Sequence, residues 1–251
     1  MPENMEWEAP VAIIMAAGRG SRMQSELPKV LVSAQGRPLI DYVLDSAIEG
    51  GIRSVIVVVG YEANRVREHV QARPQVSFVE QTEQLGTGHA IAVCEEALSD
   101  YEGPVMILAG DSPMIRSESL KELLTHFQRE KPACLLGTAY KQNPTGLGRI
   151  VRDREGNFIG IVEEKDATDE QRAIQEVNLS TYVFSKQKLF EALQQIRPNN
   201  AQGEYYLTDC PRLLLNRDEK VLALPILHPS EALSVNNLDE LAAVEQALQH
   251  E

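Results

Sequence analysis

The chain predicts an α/β protein, a three-layer α/β/α arrangement around a mainly parallel sheet. Two observations from the first half of the sequence carry this. Short, wholly apolar, β-branched runs recur without the in/out alternation of a half-exposed strand, so they read as strands buried on both faces. Segments with helical periodicity separate them, and a β-α-β-α order places helices on both sides of a parallel sheet. Ligands of such sheets gather at the carboxyl ends of the strands.

The strand runs are VAIIM (Val11–Met15), SVIVVV (Ser54–Val59), VSFVE (Val76–Glu80) and VMILAG (Val105–Gly110). Between the first two, PLIDYVLDSAIEGG places Leu39, Ile40, Val43, Leu44, Ala47 and Ile48 at helical spacing. Pro38 suits the start of that helix, and Gly50–Gly51 suit its end. TGHAIAVCEEAL and SESLKELLTHFQRE behave in the same way, with Ser117 as the expected N-cap of the second. After Pro144 the texture changes. GRIVRDREGNFIGIVEEKD reads as a hairpin around Glu155–Gly156–Asn157, VNLSTYVFS as a strand and KQKLFEALQQI as a helix. No Gly-, Ser- or Pro-rich linker separates two units, so the expectation is one domain with an appended β-rich lobe. No hexapeptide-type repeat follows.

Composition narrows the function classes. The chain has 251 residues, is 43% hydrophobic and carries a net charge of −13 without a basic block. A dedicated nucleic-acid surface would need clustered Lys and Arg, so that class is excluded. Three scattered cysteines, Cys94, Cys134 and Cys210, are too few for a disulfide framework or a zinc site and suit a reducing compartment. The acidic opening MPENMEWEAP resembles no signal or transit peptide, and no apolar run approaches membrane length. The expected location is the cytoplasm, without a membrane partner.

Three loops can carry chemistry. In IIMAAGRGSRMQSELPKVL the chain leaves a buried strand through small residues and glycines and meets two isolated cations, Arg22 and Lys29. Glycines there let backbone N–H groups approach an anion, and the cations would close over phosphates. The same pattern also suits a plain surface loop, and it matches neither a Walker loop nor a full dinucleotide fingerprint. AGDSP places Asp111 at the carboxyl edge of a strand, where a carboxylate can hold Mg²⁺ or cap the next turn. QTEQLGTGHA offers Gln81, whose amide presents donor and acceptor together as a base edge requires, followed by Gly86, Thr87 and Gly88 at a helix start. Ordinary helix-start chemistry explains that loop as well. His89 is expected to pack or cap there, not to act as a base. In VEEKDAT and EVNLS, apolar strand residues interrupt the charges of Glu163, Glu164, Lys165, Asp166 and Glu176 and the amide of Asn178, so some of these side chains can converge on a sugar. Asn236 and Asn237 open a further helix, where an Asn commonly serves as N-cap.

These segments in this order resemble the nucleotidyltransferases that make nucleotide sugars. They resemble in particular the uridylyltransferase domain of the bacterial bifunctional N-acetylglucosamine-1-phosphate uridylyltransferase/glucosamine-1-phosphate acetyltransferases. The matching stretches are AAGRGSRM with LPKVL, QLGTGHA, GDSP, PTGLGRI with VEEKDATDEQ, and NNAQGEYYLTD with SVNN, covering about Val11 to Asn237. The resemblance implies a Rossmann-like nucleotide-diphospho-sugar transferase fold with a β-rich sugar-binding lobe. It puts the nucleotide on Met15, Ala16, Ala17 and Gly18, beside Ala109 and Gly110, with Gln81, Gly86 and Thr87 near the uracil. Arg22 and Lys29 correspond to the cations that hold the triphosphate, Asp111 and Asn236 to Mg²⁺ ligands, and Gly148, Glu163 and Asn178 to the grip on the N-acetylhexosamine. The implied reaction is transfer of UMP from UTP to N-acetylglucosamine-1-phosphate. The implied layout is a flexible segment 1–10 and one domain, 11–251, with a nucleotide half (11–143), a sugar half (144–237) and a C-terminal helix (238–250).

The chain departs from those relatives at five places. It has Ala109 and Leu147 where they have Tyr, Leu179–Ser180 where they have Thr–Gly, and Ser234 where they have Gly. These changes bear on the sugar and not on the reaction type. The left-handed β-helix half of the bifunctional relatives is not in the sequence, so neither acetyl transfer nor the trimer that half drives is expected. Three alternatives stand beside the main reading: a different sugar-1-phosphate, a different pyrimidine nucleotide, and a non-catalytic UDP-sugar sensor. A hydride-transferring Rossmann enzyme fits least, because the glycine fingerprint is incomplete.

Overall fold

The computed structural model describes residues 8–20, 23 and 26–249. The chain begins with β1 (Val11–Ala16), a two-stranded ribbon of β2 (Ser33–Ala34) and β3 (Arg37–Pro38), and α1 (Leu39–Glu49). Then come β4 (Ser54–Val59), α2 (Ala63–Val70), β5 (Val76–Glu80), α3 (Thr87–Ala92), β6 (Pro104–Ala109) and α4 (Ser117–Glu130). The second half adds β7 (Cys134–Tyr140), β8 (Gly148–Arg152), β9 (Phe158–Val162), α5 (Asp169–Arg172) and β10 (Glu176–Ser185). It ends with α6 (Lys186–Leu193), α7 (Cys210–Leu215), β11 (Val221–Leu224) and α8 (Leu238–Leu248).

The main sheet runs β11-β7-β10-β6-β1-β4-β5. Its neighbours are parallel except at β10, which runs antiparallel to both β6 and β7. Successive side chains of a strand point to opposite faces, and here both faces are covered. Ala12, Ile14 and Ala16 of β1 pack with α1, α2 and α4 through Ile40, Val43, Val66, Leu120 and Phe127. Val11 and Ile13 pack on the other side with α3, α6 and α7 through Ile91, Leu189, Phe190 and Leu214. Each of the larger of these side chains gains about 1.5–3 kcal/mol on leaving water, which is why the runs show no polar alternation. The β8–β9 hairpin joins the sheet through Val177–Arg149 and Asn178–Gly148, so the lobe is an offshoot of β10. α8 packs Val244 with Ala34, Leu39, Met114 and Val235.

Several local expectations need correction. Ser117 is the first residue of α4 and not its cap; the cap position is Arg116, whose N–H donates to Glu231 Oε2 at 3.0 Å. α3 is shorter than its apolar pattern suggests and gives way to a 3-10 turn at Glu96–Leu98. Of the segment expected to be flexible, residues 1–7 lie outside the described residues. Ala9 is tied down, its carbonyl accepting from the Tyr101 hydroxyl at 3.1 Å. The three cysteines are buried and unpaired, and burial pushes the Cys94 thiol up to about 12, so it stays protonated and inert. Among the described residues no helix is long and apolar enough to cross a membrane.

Candidate active site

A cleft lies at the carboxyl ends of β1, β6 and β5, and it has two parts. The first is a cavity of ≈ 360 Å³. Met15, Ala16, Ala17 and Gly18 form its floor where the chain leaves β1, and Gln81, Gly86 and Thr87 form its far wall. Gln81 is buried, and its Nε2 lies 3.1 Å from both Gly86 O and His89 Nδ1. A carbonyl can only accept, so the amide orientation is fixed and Oε1 is the atom left for a ligand. His89 therefore packs behind Gln81 at the helix start. The loop after α6 clamps this wall: Gly88 N–H donates to Tyr205 O at 2.7 Å, and Leu207 N–H to Thr87 Oγ1 at 3.0 Å.

The second part is a cavity of ≈ 180 Å³ lined by Gly148, Glu163, Asn178, Ser234 and Asn236, among others. Gly148 pairs with Asn178 across β8 and β10. A methyl group on Gly148 would crowd Ile161 Cγ2 at 3.1 Å and would sit at ordinary contact distance, 3.5 Å, from both Asn178 Cβ and Glu163 Oε2, so the position lies directly between these two side chains. Glu163 Oε1 accepts from the Thr208 hydroxyl at 3.0 Å. Burial raises its pKa, the Thr208 bond opposes that, and the charges of Asp166, Asp209 and Glu204 add to the rise. The rest of the charged cluster is structural. Glu164 pairs with buried Arg149 at 2.7 Å, Asp166 accepts from Ala201 N–H at 2.8 Å, and Glu176 takes both Arg152 and Thr138. A third cavity, ≈ 420 Å³, lies on the other side of Glu163 and is lined by Asp166, Tyr206, Thr208 and Asp209.

Lys29 and Asp111 meet where the first two cavities join. Lys29 Nζ donates to Asp111 Oδ2 and, at 2.7 Å, to Asn236 Oδ1. Asn236 is held for this by Glu240 of α8, whose Oε2 accepts from Asn236 N–H at 2.7 Å and from Nδ2 at 2.9 Å. Val235 N–H donates to Asp111 O at 3.1 Å, which fastens the two segments together. Asn237 turns away and caps α8, accepting from Glu240 N–H at 2.9 Å. Two oxygens from separate elements thus converge on one cation, an arrangement that fits a hard divalent ion completed by water and phosphate oxygens. Among the described residues no group of three or more His, Cys, Asp or Glu offers a rival metal centre.

Other expected residues fall less directly. Arg22 lies outside the described residues. Gly110 borders neither of the two joined cavities; it packs against β1, with its N–H on Met15 O at 3.0 Å, and Ala109 lines the cleft in its place. Sequence reasoning missed Glu240 and Arg149. Arg149 donates to Glu164, which in turn accepts from Gly146 N–H at 3.0 Å and so fixes the loop before Gly148. An arginine directly before the apolar pair Ile150–Val151 was the available signal for Arg149. Glu240 shows only a helix-start acid.

Fold and cleft define an α/β protein with a two-part ligand site at its strand ends. The family model described as "Nucleotidyl transferase" matches residues 11–226, and the chain belongs to that family. It is a nucleotidyltransferase. It is 43% identical over 237 residues to the bifunctional protein GlmU of Streptococcus mutans, covering 94% of this chain and 51% of the relative. It is 44% identical over 242 residues to the bifunctional protein GlmU of Thermoanaerobacter pseudethanolicus, covering 96% and 52%. The chain thus spans about half the length of these relatives. Among solved structures, UDP-glucose pyrophosphorylase in complex with UDP-glucose superposes with a TM-score of 0.77 at 20% identity, over 96% of this chain and 98% of that one. That likeness concerns the fold.

Proposed function

We propose that this chain transfers UMP from UTP to N-acetylglucosamine-1-phosphate, giving UDP-N-acetylglucosamine and pyrophosphate. The observation that carries the reading is the junction of the two cavities at Asp111, with Lys29 and Asn236 beside it. The nucleoside occupies the larger cavity, with Gln81 Oε1 toward the base. The sugar occupies the smaller one, on Gly148, Glu163 and Asn178. The acceptor phosphate oxygen then attacks the α-phosphate in line at the junction, and pyrophosphate leaves past Lys29; the resemblance assigns Arg22 to the same phosphates. Such a displacement needs positioning and charge stabilisation, not a protein nucleophile. Asp111 and Asn236 would hold Mg²⁺, which offsets the repulsion between the two phosphates. Lys29 stabilises the equatorial oxygens, and its loss costs about a hundredfold in kcat.

One observation favours a second reading, in which the acceptor is another sugar-1-phosphate. The five departures, Ala109, Leu147, Leu179, Ser180 and Ser234, all border the smaller cavity. The test is pyrophosphate release from UTP and Mg²⁺ with the 1-phosphates of N-acetylglucosamine, glucosamine, N-acetylgalactosamine and glucose. Preference for N-acetylglucosamine-1-phosphate, lost in Lys29→Ala and Asp111→Ala, supports the main reading. Preference for another sugar replaces it with the second. No turnover alongside tight UDP-sugar binding makes the protein a sensor.

A further inference from the structure

We propose that Ser180 is a substrate-binding and specificity residue, whose hydroxyl donates a hydrogen bond to the sugar phosphate where the two cavities meet. The inference rests on the two-substrate reading above and adds a contact to it.

Three facts converge on this residue. First, Ala109, Asp111 and Ser180 are the described residues that border both cavities. Ala109 has no polar side-chain atom, and Asp111 is engaged by Lys29. Among the described residues nothing takes a hydrogen bond with Ser180 Oγ, although Ser180 N–H donates to Asn178 Oδ1 at 3.3 Å. The seam therefore carries one uncommitted hydroxyl.

Second, Ser180 has φ +55°, the left-handed region that a side chain with Cβ adopts at a cost and glycine adopts freely. A bulge creates this conformation. From Asn178 to Tyr182 the strand β10 advances four residues while β7 advances two, from Thr138 to Leu136. Leu179 and Thr181 on either side are buried, whereas Ser180 is half-exposed to the cleft. Strain kept at a cleft is a reason to look for a use of the side chain that imposes it.

Third, among the described residues no lysine or arginine lines the smaller cavity, while Asp111 and Glu163 bring carboxylates to it; its donors are neutral, the hydroxyls of Ser112, Ser180 and Ser234 and the amides of Asn178 and Asn236. A sugar phosphate is itself anionic and needs donors at its phosphate end. A serine hydroxyl supplies one without adding charge, and does so next to Asp111, where the phosphates of the two substrates come together.

The test uses the whole chain and titration calorimetry with two probes, UMP and the UDP-sugar that the wild type binds more tightly of UDP-N-acetylglucosamine and UDP-glucose. Ser180→Ala removes the hydroxyl and keeps the backbone cost; Ser180→Gly removes both, so it folds at least as well as the wild type. In both variants UDP-sugar binding is expected to weaken by about ten- to a hundredfold, the loss of one hydrogen bond to a charged group, with UMP affinity held within about twofold. In turnover, kcat/KM for the sugar phosphate falls by the same factor and KM for UTP stays put. Unchanged UDP-sugar affinity in both variants, or equal losses for UMP and UDP-sugar, overturns the assignment of Ser180. A wild type that binds UMP but neither UDP-sugar overturns the sugar-phosphate reading itself, and the contact with it.

Discussion

Lys29 and Asp111 form an ion pair at the point where Asn236 also turns its amide oxygen, so the ammonium group occupies the meeting place of two oxygen ligands. Both side chains are largely shielded, at 14% and 21% exposure, so the pairing is stronger than at an open surface. A divalent cation on the same oxygens and this ammonium exclude each other. Lys29→Met is therefore expected to tighten Mn²⁺ binding to the nucleotide-free protein by roughly tenfold, about 1–2 kcal/mol, read by electron paramagnetic resonance. Turnover in the same variant falls, because the cation that should follow the phosphates is gone. Mn²⁺ affinity equal to or weaker than the wild type would rule out this cation site.

Glu163 supplies a pH dependence with a definite sign. Its pKa is raised in the folded chain, chiefly by burial. The folded state thus holds the proton more tightly than the unfolded chain does, and stability is lost as pH rises through the ordinary glutamate range and past the folded value. Glu163→Gln is expected to raise the Tm at pH 7–8, to leave it nearly unchanged below the ordinary glutamate pKa, and to lower sugar-phosphate affinity. Thermal unfolding from pH 4 to 8 checks this. Asp209, whose pKa burial also raises, keeps part of the slope in the variant. A Tm that drops by the same amount at every pH would sink the argument.

How much of this was legible in the sequence follows from what is local and what is not. SVIVVV marks β4 to the residue, because a strand buried on both faces needs an unbroken apolar run; VSFVE has the bounds of β5, but β5 is an edge strand with none of its residues fully buried, so its expected burial on both faces is not met. α1 ends at Glu49 with Gly50 as its cap, as the Gly50–Gly51 pair announces. The reversed direction of β10 within the parallel sheet was not legible, since pairing partners are set by contacts distant in sequence. β7 and β11 escaped for the same reason, β11 being a four-residue edge strand. In the site, Asp111 and Gln81 stood out by residue type at strand ends. Glu240, which orients Asn236, did not, because nothing in SVNNLDEL says that Asn237 and not Asn236 takes the cap.

Glu231 ties the sugar side of the cleft to α4. It is 2% exposed, and its two oxygens accept from Arg116 N–H at 3.0 Å, Ser119 Oγ at 2.7 Å and His228 N–H at 2.6 Å. A carboxylate at the start of a helix also meets the positive end of its dipole. Glu231→Ala leaves three donors without this acceptor, two of them at that helix start, and is expected to cost about 2–4 kcal/mol. In a chain of this size that lowers Tm by about 5–15 °C. Glu231→Gln, which keeps an acceptor oxygen, should recover part of the loss. Denaturation of both variants decides it; equal stability of Glu231→Ala and wild type would mean that α4 needs no cap.

Gly86 holds the wall of the larger cavity for two separable reasons. Its φ is +112°, and a methyl group there would lie 2.6 Å from Tyr205 O, a backbone atom that cannot step aside. Gly36 provides the control, since its φ is +76° but nothing lies within 4 Å of the position its Cβ would take. Gly36→Ala therefore tests backbone strain alone and is expected to cost about 1–2 kcal/mol with substrate affinities unchanged. Gly86→Ala adds displacement of the Glu204–Tyr206 loop and of the Gly86 carbonyl that orients Gln81. Its stability loss should exceed that of Gly36→Ala, and KM for UTP should rise by about tenfold while Mn²⁺ affinity stays at the wild-type value. Measuring both variants by thermal unfolding and by UTP saturation separates the two causes. If Gly86→Ala raises KM for the sugar phosphate in place of UTP, the larger cavity is not the nucleotide side of the cleft.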